Sequence, residues 1–338
     1  MKAVVLHGQV PPGASKDEQD VLVQVAVILQ ALSDLGFTPV VLPLSLDLAS
    51  VAKELWRLRP AFVFNLVETV QGKGQYIHLG PTLLEGLHLP YTGATTATMV
   101  ATSNKLLAKK ILAAAELPTP PWLSMESVLR DAVLFPGPYI IKSVWEHGSV
   151  GLDEDAVIAV PALLKPTLEH RSHEPAAPWF VERYIHGREF NLSLLAGPHG
   201  PELLPPAEID FTGYPVGKAR IVGYRAKWEE DSVEYQCTCR RFDFPPADTP
   251  LLEQLAELAL ACWRLFELRG YGRIDVRVDE AGHPWILEVN ANPCLAPESG
   301  FVAAAERAGW QFAQVVQRII ADSWPSSLCS TGCPRATT

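Results

Sequence analysis

The sequence predicts an α/β unit followed by mixed α+β units, and three observations carry that expectation. Strand-like and helix-like runs alternate through the first hundred residues. A cluster of Pro118, Pro120 and Pro121 breaks the chain, and beyond it strands group together before a long amphipathic helix and a closing hairpin. At 338 residues the chain is too long for a typical single core, and roughly two or three domains are expected.

The elements follow in order. "KAVVLHG" reads as the first strand, "QVPPGASKDEQD" as a loop, "VLVQVAVILQAL" as a helix and, after Gly36, "TPVVLPL" as a strand. "VAKELWRLRP" and "AFVFNLVE" repeat the helix-to-strand unit, enough for a small parallel sheet. No G-x-G-x-x-G follows the first strand, so a dinucleotide-binding fold has weak support. An Ala- and Leu-rich helix, with Ser103 as its N-cap, runs to the proline cluster. "YIIKSV" and "WFVERYI" are strands separated by the loop "WEHGSVG", and "EFNLSLLAG" is a third. Leu252, Leu255, Cys262 and Leu265 recur near helical spacing in a helix that Gly270 is expected to stop. "GRIDVRV" and "WILEVNANP" make the closing hairpin, and "FVAAAERAGWQFAQVVQRIIA" one more helix. The tail "PSSLCSTGCPRATT" has no apolar pattern and is expected to be disordered. These breaks divide the chain into an N-terminal α/β domain at 1–100, a central α+β unit at 101–190, a C-terminal unit at 191–323 and the tail at 324–338.

Composition narrows the function classes. Lys plus Arg number 28 against 38 for Asp plus Glu, and the net charge of −10 argues against a nucleic-acid coat or an anionic membrane surface. Anionic ligands must therefore be held by local cations. The most apolar stretch, Val21 to Leu32, is interrupted by Gln24 and Gln30 and falls short of the ~20 residues of a spanning helix. Ala3 to Leu6 is too brief for a signal peptide, so a cytoplasmic protein is expected. Six cysteines, at 237, 239, 262, 294, 329 and 333, include no C-x-x-C pair, which favours free thiols over zinc or a disulfide framework.

The hairpin holds the sharpest anomaly, Glu288 and Asn290 among the apolar residues of a strand. A loop from Glu280 to His283 would pair Asp279 with Pro284, and that register sets Asp275 opposite Glu288 and Arg273 opposite Asn290. Period two puts these four on one face and Ile274, Val276, Leu287 and Val289 on the other. Like charges directly opposite destabilise a sheet. One reading is a solvated face on which Arg273 and lysines offset the carboxylates. The other is a hard-cation site, because two carboxylates and an amide oxygen suit Mg2+ shared with substrate phosphates. Arg273 then stays free to stabilise charge developing beside the metal.

"GYGRIDVRVD" followed by "ILEVNANP" resembles the metal-binding signature of the ATP-grasp ligases, specifically of the D-alanine–D-alanine ligase family. The likeness continues in order through "LPYTG", "SNKLLAKK", "IIKSVWEHGSVGL", "FVERYIHGREFNLSLL", "YRAKW" and "AERAGWQFAQVVQRI", and so covers most of the chain. It implies an ATP-grasp fold with an N-terminal Rossmann-like (pre-ATP-grasp) domain. It also implies ATP and Mg2+ as cofactors, with two metal ions expected and Mn2+ as a substitute. Asp275, Glu288 and Asn290 become the metal ligands. Lys105 and Lys142 are implied to hold the ATP phosphates, since the sequence has no Walker loop. "EHGSVG" resembles the family's phosphate-covering loop, with Ser149 at a substrate-binding position. "FVERYIHGRE" resembles the adenosine clamp, in which Glu182, Arg183 and Ile185 meet the adenine and Glu189 the ribose hydroxyls. Lys227 is implied to reach the transferred phosphate, and Ser299 and Gly300 to bind the carboxylate of the attacking amino acid. Glu18 is matched loosely to the glutamate that grips the first amino acid's ammonium. Arg273 and the backbone N–H near Cys294, which stands where the family usually has Gly, would stabilise a tetrahedral oxyanion.

The activity implied is ATP-dependent joining of one amino acid's carboxylate to another's amine through an acyl phosphate, and the family suggests a homodimer. The departures concern the substrates. "FNLVETVQGKGQ" replaces the family's "HG..GEDG" segment, leaving only Glu68 as a counterpart to its acidic residues. Trp228 stands where a Tyr is common, and an indole donates a hydrogen bond but accepts none, so the family's Ser-Tyr-Glu network cannot be intact. Amino acid-like substrates are therefore implied, and D-alanine as both is not. A nucleotide-binding regulator without turnover is the alternative, opposed by Arg273, Asp275, Glu288 and Asn290. A nicotinamide oxidoreductase is weakened by the missing glycine fingerprint.

Overall fold

The computed structural model describes residues 1–174 and 178–323; the tail at 324–338 lies outside them. Strands β1 (Lys2–Gly8), β2 (Thr38–Leu44) and β3 (Phe62–Leu66) form a parallel sheet in the order β2-β1-β3. β1 and β3 are buried almost throughout, as the apolar runs of parallel strands must be. Helices α1 (Lys16–Asp34) and α2 (Leu48–Leu58) connect the three. The first begins at Lys16, inside the expected loop, because the Glu18 carboxylate accepts from the Ser15 N–H (3.1 Å) and hydroxyl (3.0 Å). That capping interaction turns the acidic end of the loop into the first helical turn.

Helices α3 (Leu79–Gly86) and α4 (Thr96–Ser103) lead into α5 (Lys105–Ala114). Ser103 ends α4, and the N-cap of α5 is Asn104, whose side chain accepts from Leu107 N–H at 3.0 Å. Lys105 therefore opens α5, and Lys109 lies one turn further on the same face.

A second, antiparallel sheet holds β4 (Trp122–Ser124), β5 (Tyr139–Ser143), β6 (Val157–Ile158) and β7 (Trp179–Arg183) in the order β4-β7-β5-β6. Helices α6 (Met125–Leu129) and α7 (Leu164–Arg171) close it over Ile141, Leu168, Trp179 and Val181. The largest sheet comprises β8 (Gly187–Gly197), β9 (Gly200–Leu203), β10 (Ala207–Asp210), β11 (Cys239–Arg241), β12 (Tyr271–Asp279) and β13 (Pro284–Asn290). Its order is β11-β10-β8-β12-β13, with β9 also on β8.

Short helices α8 (Tyr224–Trp228) and α9 (Val233–Gln236) interrupt the connection from β10 to β11. Helix α10 (Thr249–Leu265) packs Leu255, Ala259 and Cys262 against Phe190, Leu192, Ile274 and Val276, leaving the opposite face of the sheet for chemistry. It ends before Gly270: Glu267 takes a left-handed φ of 50° and Leu268 N–H bonds back to Trp263. The last helical run is two helices, α11 (Gly300–Arg307) and α12 (Phe312–Ser323), broken at Gly309, whose φ of 85° suits glycine. Val316 and Ile319 of α12 share a core with Val5, Phe62 and Phe64, so the end of the chain is packed on the first sheet. Among the described residues no helix is long and apolar enough to cross a membrane.

The hairpin register agrees with expectation at the site and departs from it near the turn. Arg273 pairs with Asn290 and Asp275 with Glu288, but Val278 rather than Asp279 faces Pro284. Asp279 is drawn into the turn, where its carboxylate accepts from the N–H groups of Ala281 and His283 and from the Trp285 indole. Leu287 has no partner in the register and absorbs the slip as a bulge. The core face is consequently Ile286 and Val289, with Leu287 only half-buried.

Candidate active site

Three strands deliver the central cluster. Asp275 is flanked by Asn191 on β8 and Glu288 on β13, and cross-strand partners share a face. Arg273 is not free as expected: it grips Asp275 through two bonds, Nε to Oδ1 at 2.7 Å and Nη2 to Oδ2 at 2.9 Å. Asn191 and Asn290 donate to the same two oxygens at 2.9 and 3.1 Å. Glu288 is served from elsewhere, by His147 Nδ1 at 3.0 Å and Lys105 Nζ at 3.6 Å. Burial works to raise its pKa, but Lys105, the His147 contact and Lys227 together hold it well below the usual carboxylate range. The two facing carboxylates thus coexist because each has its own cations. Lys227 itself has no hydrogen bond or ion pair among the described residues. Burial, and then the neighbouring Arg273, lower its pKa against the pull of Asp275 and Glu288.

Among the described residues no three His, Cys, Asp or Glu side chains gather into a closed metal cage. The donor set here is Asp275, Glu288 and the Asn290 carboxamide. These are oxygen donors of the kind a hard cation takes with water and phosphate oxygens, and Asp275 would exchange contacts with Arg273, Asn191 or Asn290 for it.

Among the residues expected to hold the nucleotide, Lys105 donates to the Glu146 carbonyl at 2.6 Å. Glu182, only 1% exposed, accepts from Lys142 and forms an ion pair with Lys109 Nζ at 2.6 Å. Burial opposes its ionisation, yet the two ammonium groups lower its pKa. The carboxylate expected against adenine is therefore occupied as a counterion. Lys109, 1% exposed and missed from the sequence, was signalled only by standing four residues after Lys105. Arg277, 3% exposed, donates to Glu189 at 2.7 and 3.0 Å and to the Ile185 carbonyl at 3.0 Å. Its guanidinium lies between the rings of Tyr184 and Phe211, while that of Arg183 lies over Trp285. Two of the groups expected to meet adenosine are thus held by one arginine.

The glycine-bearing loop is shaped by two consecutive left-handed residues, Gly148 (φ 65°) and Ser149 (φ 66°). Ser149 Oγ donates to the Val222 carbonyl at 2.6 Å, and the Trp228 indole donates to the Gly148 carbonyl at 2.9 Å. Lys16 donates to the Trp228 carbonyl and Tyr224 to Asp17, so α1 closes on α8 without Glu18, which caps its own helix. Ser299 is the N-cap of α11, accepting from Val302 N–H at 3.3 Å, and Gly300 opens that helix.

A last wall joins α1 to the chain after β13. Gln24 donates to Glu68 at 2.8 Å and to Asp20 at 3.2 Å while accepting from Leu295 N–H at 2.9 Å. The Cys294 thiol donates to Asp20 at 3.0 Å, and burial, then Glu68 and Asp20, push its pKa well up, so it is a neutral donor and no nucleophile. Burial pushes the Glu68 carboxyl up to about 7, against the Gln24 hydrogen bond that opposes the shift. A carboxyl raised from 4.5 binds its proton more tightly in the folded state, so stability falls as pH rises through the interval from 4.5 to about 7. Glu68→Gln cannot ionise and should escape that loss. It is expected to match the parent near pH 4, below the unfolded value of 4.5, and to exceed it near pH 8 by on the order of 1–3 kcal/mol in urea denaturation. Equal stability at the higher pH would show that Glu68 ionises without penalty.

Fold and site together define an ATP-grasp carboxylate–amine ligase. The family model described as "D-ala D-ala ligase C-terminus" matches residues 113–321, and the chain belongs to the D-alanine–D-alanine ligase family. An uncharacterized protein, y4sG, of Sinorhizobium fredii is 30% identical over 260 residues, covering 76% of this chain and 73% of its own length. A D-alanine–D-alanine ligase of a Synechococcus species is 27% identical over 343 residues, covering 99% of this chain and 97% of its own. Among solved structures, D-alanine–D-alanine ligase from Bacillus anthracis complexed with ATP aligns with a TM-score of 0.73 at 21% identity, over 96% of this chain and 97% of that one.

Proposed function

We propose that this protein is an ATP- and Mg2+-dependent ligase joining the carboxylate of one small amino acid-like molecule to the amine of another through an acyl phosphate. The observation that carries the reading is the group of Arg273, Asp275, Glu288 and Asn290 beside an unpaired Lys227, since a nucleotide-binding regulator has no need of an arginine poised for an oxyanion. Asp275, Glu288 and Asn290 would hold Mg2+, which when bound neutralises the phosphates. Lys105 and Lys142 would take up further phosphate charge.

Arg183, Ile185 and the backbone of Glu182, whose carboxylate stays with its lysines, would meet the adenine and Glu189 the ribose, with Glu189 and Ile185 exchanging their Arg277 contacts for nucleotide. A carboxylate oxygen of the first substrate attacks the γ-phosphorus, ADP leaves, and Lys227 accompanies the transferred phosphoryl group. The amine of the second substrate then adds to the acyl carbon. Arg273 and the backbone N–H near Cys294 receive the oxyanion charge, and phosphate departs. The loop at Gly148 and Ser149, tied to Trp228, would shield the acyl phosphate from water. Ser299 and Gly300 would take the acceptor's carboxylate, and Glu18 the donor's ammonium. The proposal includes the division at residues 100 and 190, a homodimer and a cytoplasmic location.

Amino acids screened singly and in pairs provide the test. Mg2+-dependent phosphate release from ATP is expected only when both a carboxylate and an amine substrate are present. Tight ATP binding with no release from any pair would overturn the reading.

A further inference from the structure

Strand β11 carries two consecutive arginines, and the sheet sends them to opposite faces. Arg241 stands opposite Glu208 and pairs with it at 2.5 Å, in a network with Arg188 and Asp248. Arg240 stands opposite Ile209, which stands opposite Glu189, which stands opposite Arg277. Because cross-strand partners share a face and alternate residues of one strand do too, Arg240 is on the face of Arg273 and Asp275.

Its surroundings differ from those of the neighbouring arginines. Arg273 has Asp275, Arg277 has Glu189 and Arg241 has Glu208, whereas Arg240 forms no ion pair among the described residues. Its Nη1 donates to the Glu298 main-chain carbonyl at 3.0 Å. Its Nε lies 3.4 Å from where a Cβ on Gly300 would stand, so the guanidinium crosses the start of α11, where glycine leaves it room. Asn191 Oδ1 is 3.6 Å from that same point, and the Asn191 amide donates to Asp275. Arg240 thus reaches from the exposed edge strand β11 to the start of α11, beside Asn191. The residue remains accessible to solvent, but protein around its guanidinium, and then the charge of Arg273, lower its pKa against Cys294, Tyr235 and Glu298. A guanidinium stays charged regardless. Beside Arg273 and with no ion pair among the described residues, it offers an arriving anion a charge that no carboxylate of the chain already takes.

We propose that Arg240 is a specificity-determining residue that binds a carboxylate of the attacking amine substrate, beside Ser299 and Gly300. The inference rests on the ligase reading above. With Nη1 held by Glu298, the Nε and Nη2 edge of the guanidinium remains, and that fork matches a carboxylate. The carboxylate belongs to the acceptor's main chain or to an acidic side chain, and the same fork reads either.

The experiment measures phosphate release by the full chain against acceptor concentration, with ATP and the donor saturating. The acceptors are a neutral amino acid, its carboxamide and a dicarboxylic amino acid, tested on the parent, Arg240→Ala and Arg240→Lys. Arg240→Ala should raise the KM for a carboxylate-bearing acceptor roughly 10- to 100-fold, the loss of a charged hydrogen-bond pair, while kcat and the KM for ATP stay near the parent's. The carboxamide should be a poor acceptor for the parent and no worse for the variant, and Arg240→Lys, which keeps the charge without the fork, should fall between. A rise for the neutral amino acid assigns the main-chain carboxylate, and a rise confined to the dicarboxylic one assigns the side chain. Unchanged acceptor KM throughout, or an equal rise for the carboxamide, overturns the role of Arg240. No release by the parent with any pair overturns the ligase reading instead, and Arg240's role with it.

Discussion

Glu288→Gln is expected to lower ATP-dependent phosphate release by ~10^3-fold or more, with the fold retained at a lower stability because Lys105 and His147 lose their anion. The substitution keeps the side chain's shape and removes the charge that faces Asp275 across the hairpin. It also turns an amide N–H2 toward His147 and Lys105, two groups that the carboxylate now receives at 3.0 and 3.6 Å. Magnesium loses one of its two anionic ligands in the proposed site, and the glycine-bearing loop loses the contact that His147 makes with the strand. The fold should persist, because Asp275 keeps Arg273 and both asparagines, and the core face of β13 is Ile286 and Val289. Phosphate release measured beside urea denaturation separates the two effects. A fully active variant would mean that Glu288 holds no catalytic cation.

Glu182→Gln should be the most destabilising single change at the site, by about 3–5 kcal/mol, since it strands buried lysines without their anion. Lys109 is the group at issue: burial lowers its pKa, and Glu182 supplies the main opposing pull. In the variant that pull is gone, so the folded state sheds the Lys109 proton more readily than the unfolded chain does. The unfolded state then binds more protons, and the deficit should shrink as pH rises toward the ordinary lysine value of 10.5. A second change, Lys109→Met, should recover much of the loss, because replacing a whole buried pair costs less than breaking it. Denaturation of both variants across pH provides the measurement. A pH-independent deficit with no recovery in the double variant would place the cost in packing.

That Arg273, Asp275, Glu288 and Asn290 share a face was readable from period-two alternation, but the register counted from the turn was one residue off, and the bulge at Leu287 brings the expected pairs into line. The same local logic identified β1, β3, β5, β8 and α10, each a run whose apolar spacing matches its own geometry. Family membership was equally legible, from short blocks in a fixed order. Tertiary structure decided how charges are shared. Glu18 spends its carboxylate on Ser15, Glu182 serves two lysines from separate segments, Glu189 is held by Arg277, and Arg240 has a main-chain carbonyl but no ion-pair partner among the described residues. It also decided the bulge at Leu287 and the break at Gly309. Periodicity records which way a side chain points relative to its own backbone. An ion pair depends on which distant segment is brought within a few ångström, and no spacing along the chain encodes that distance.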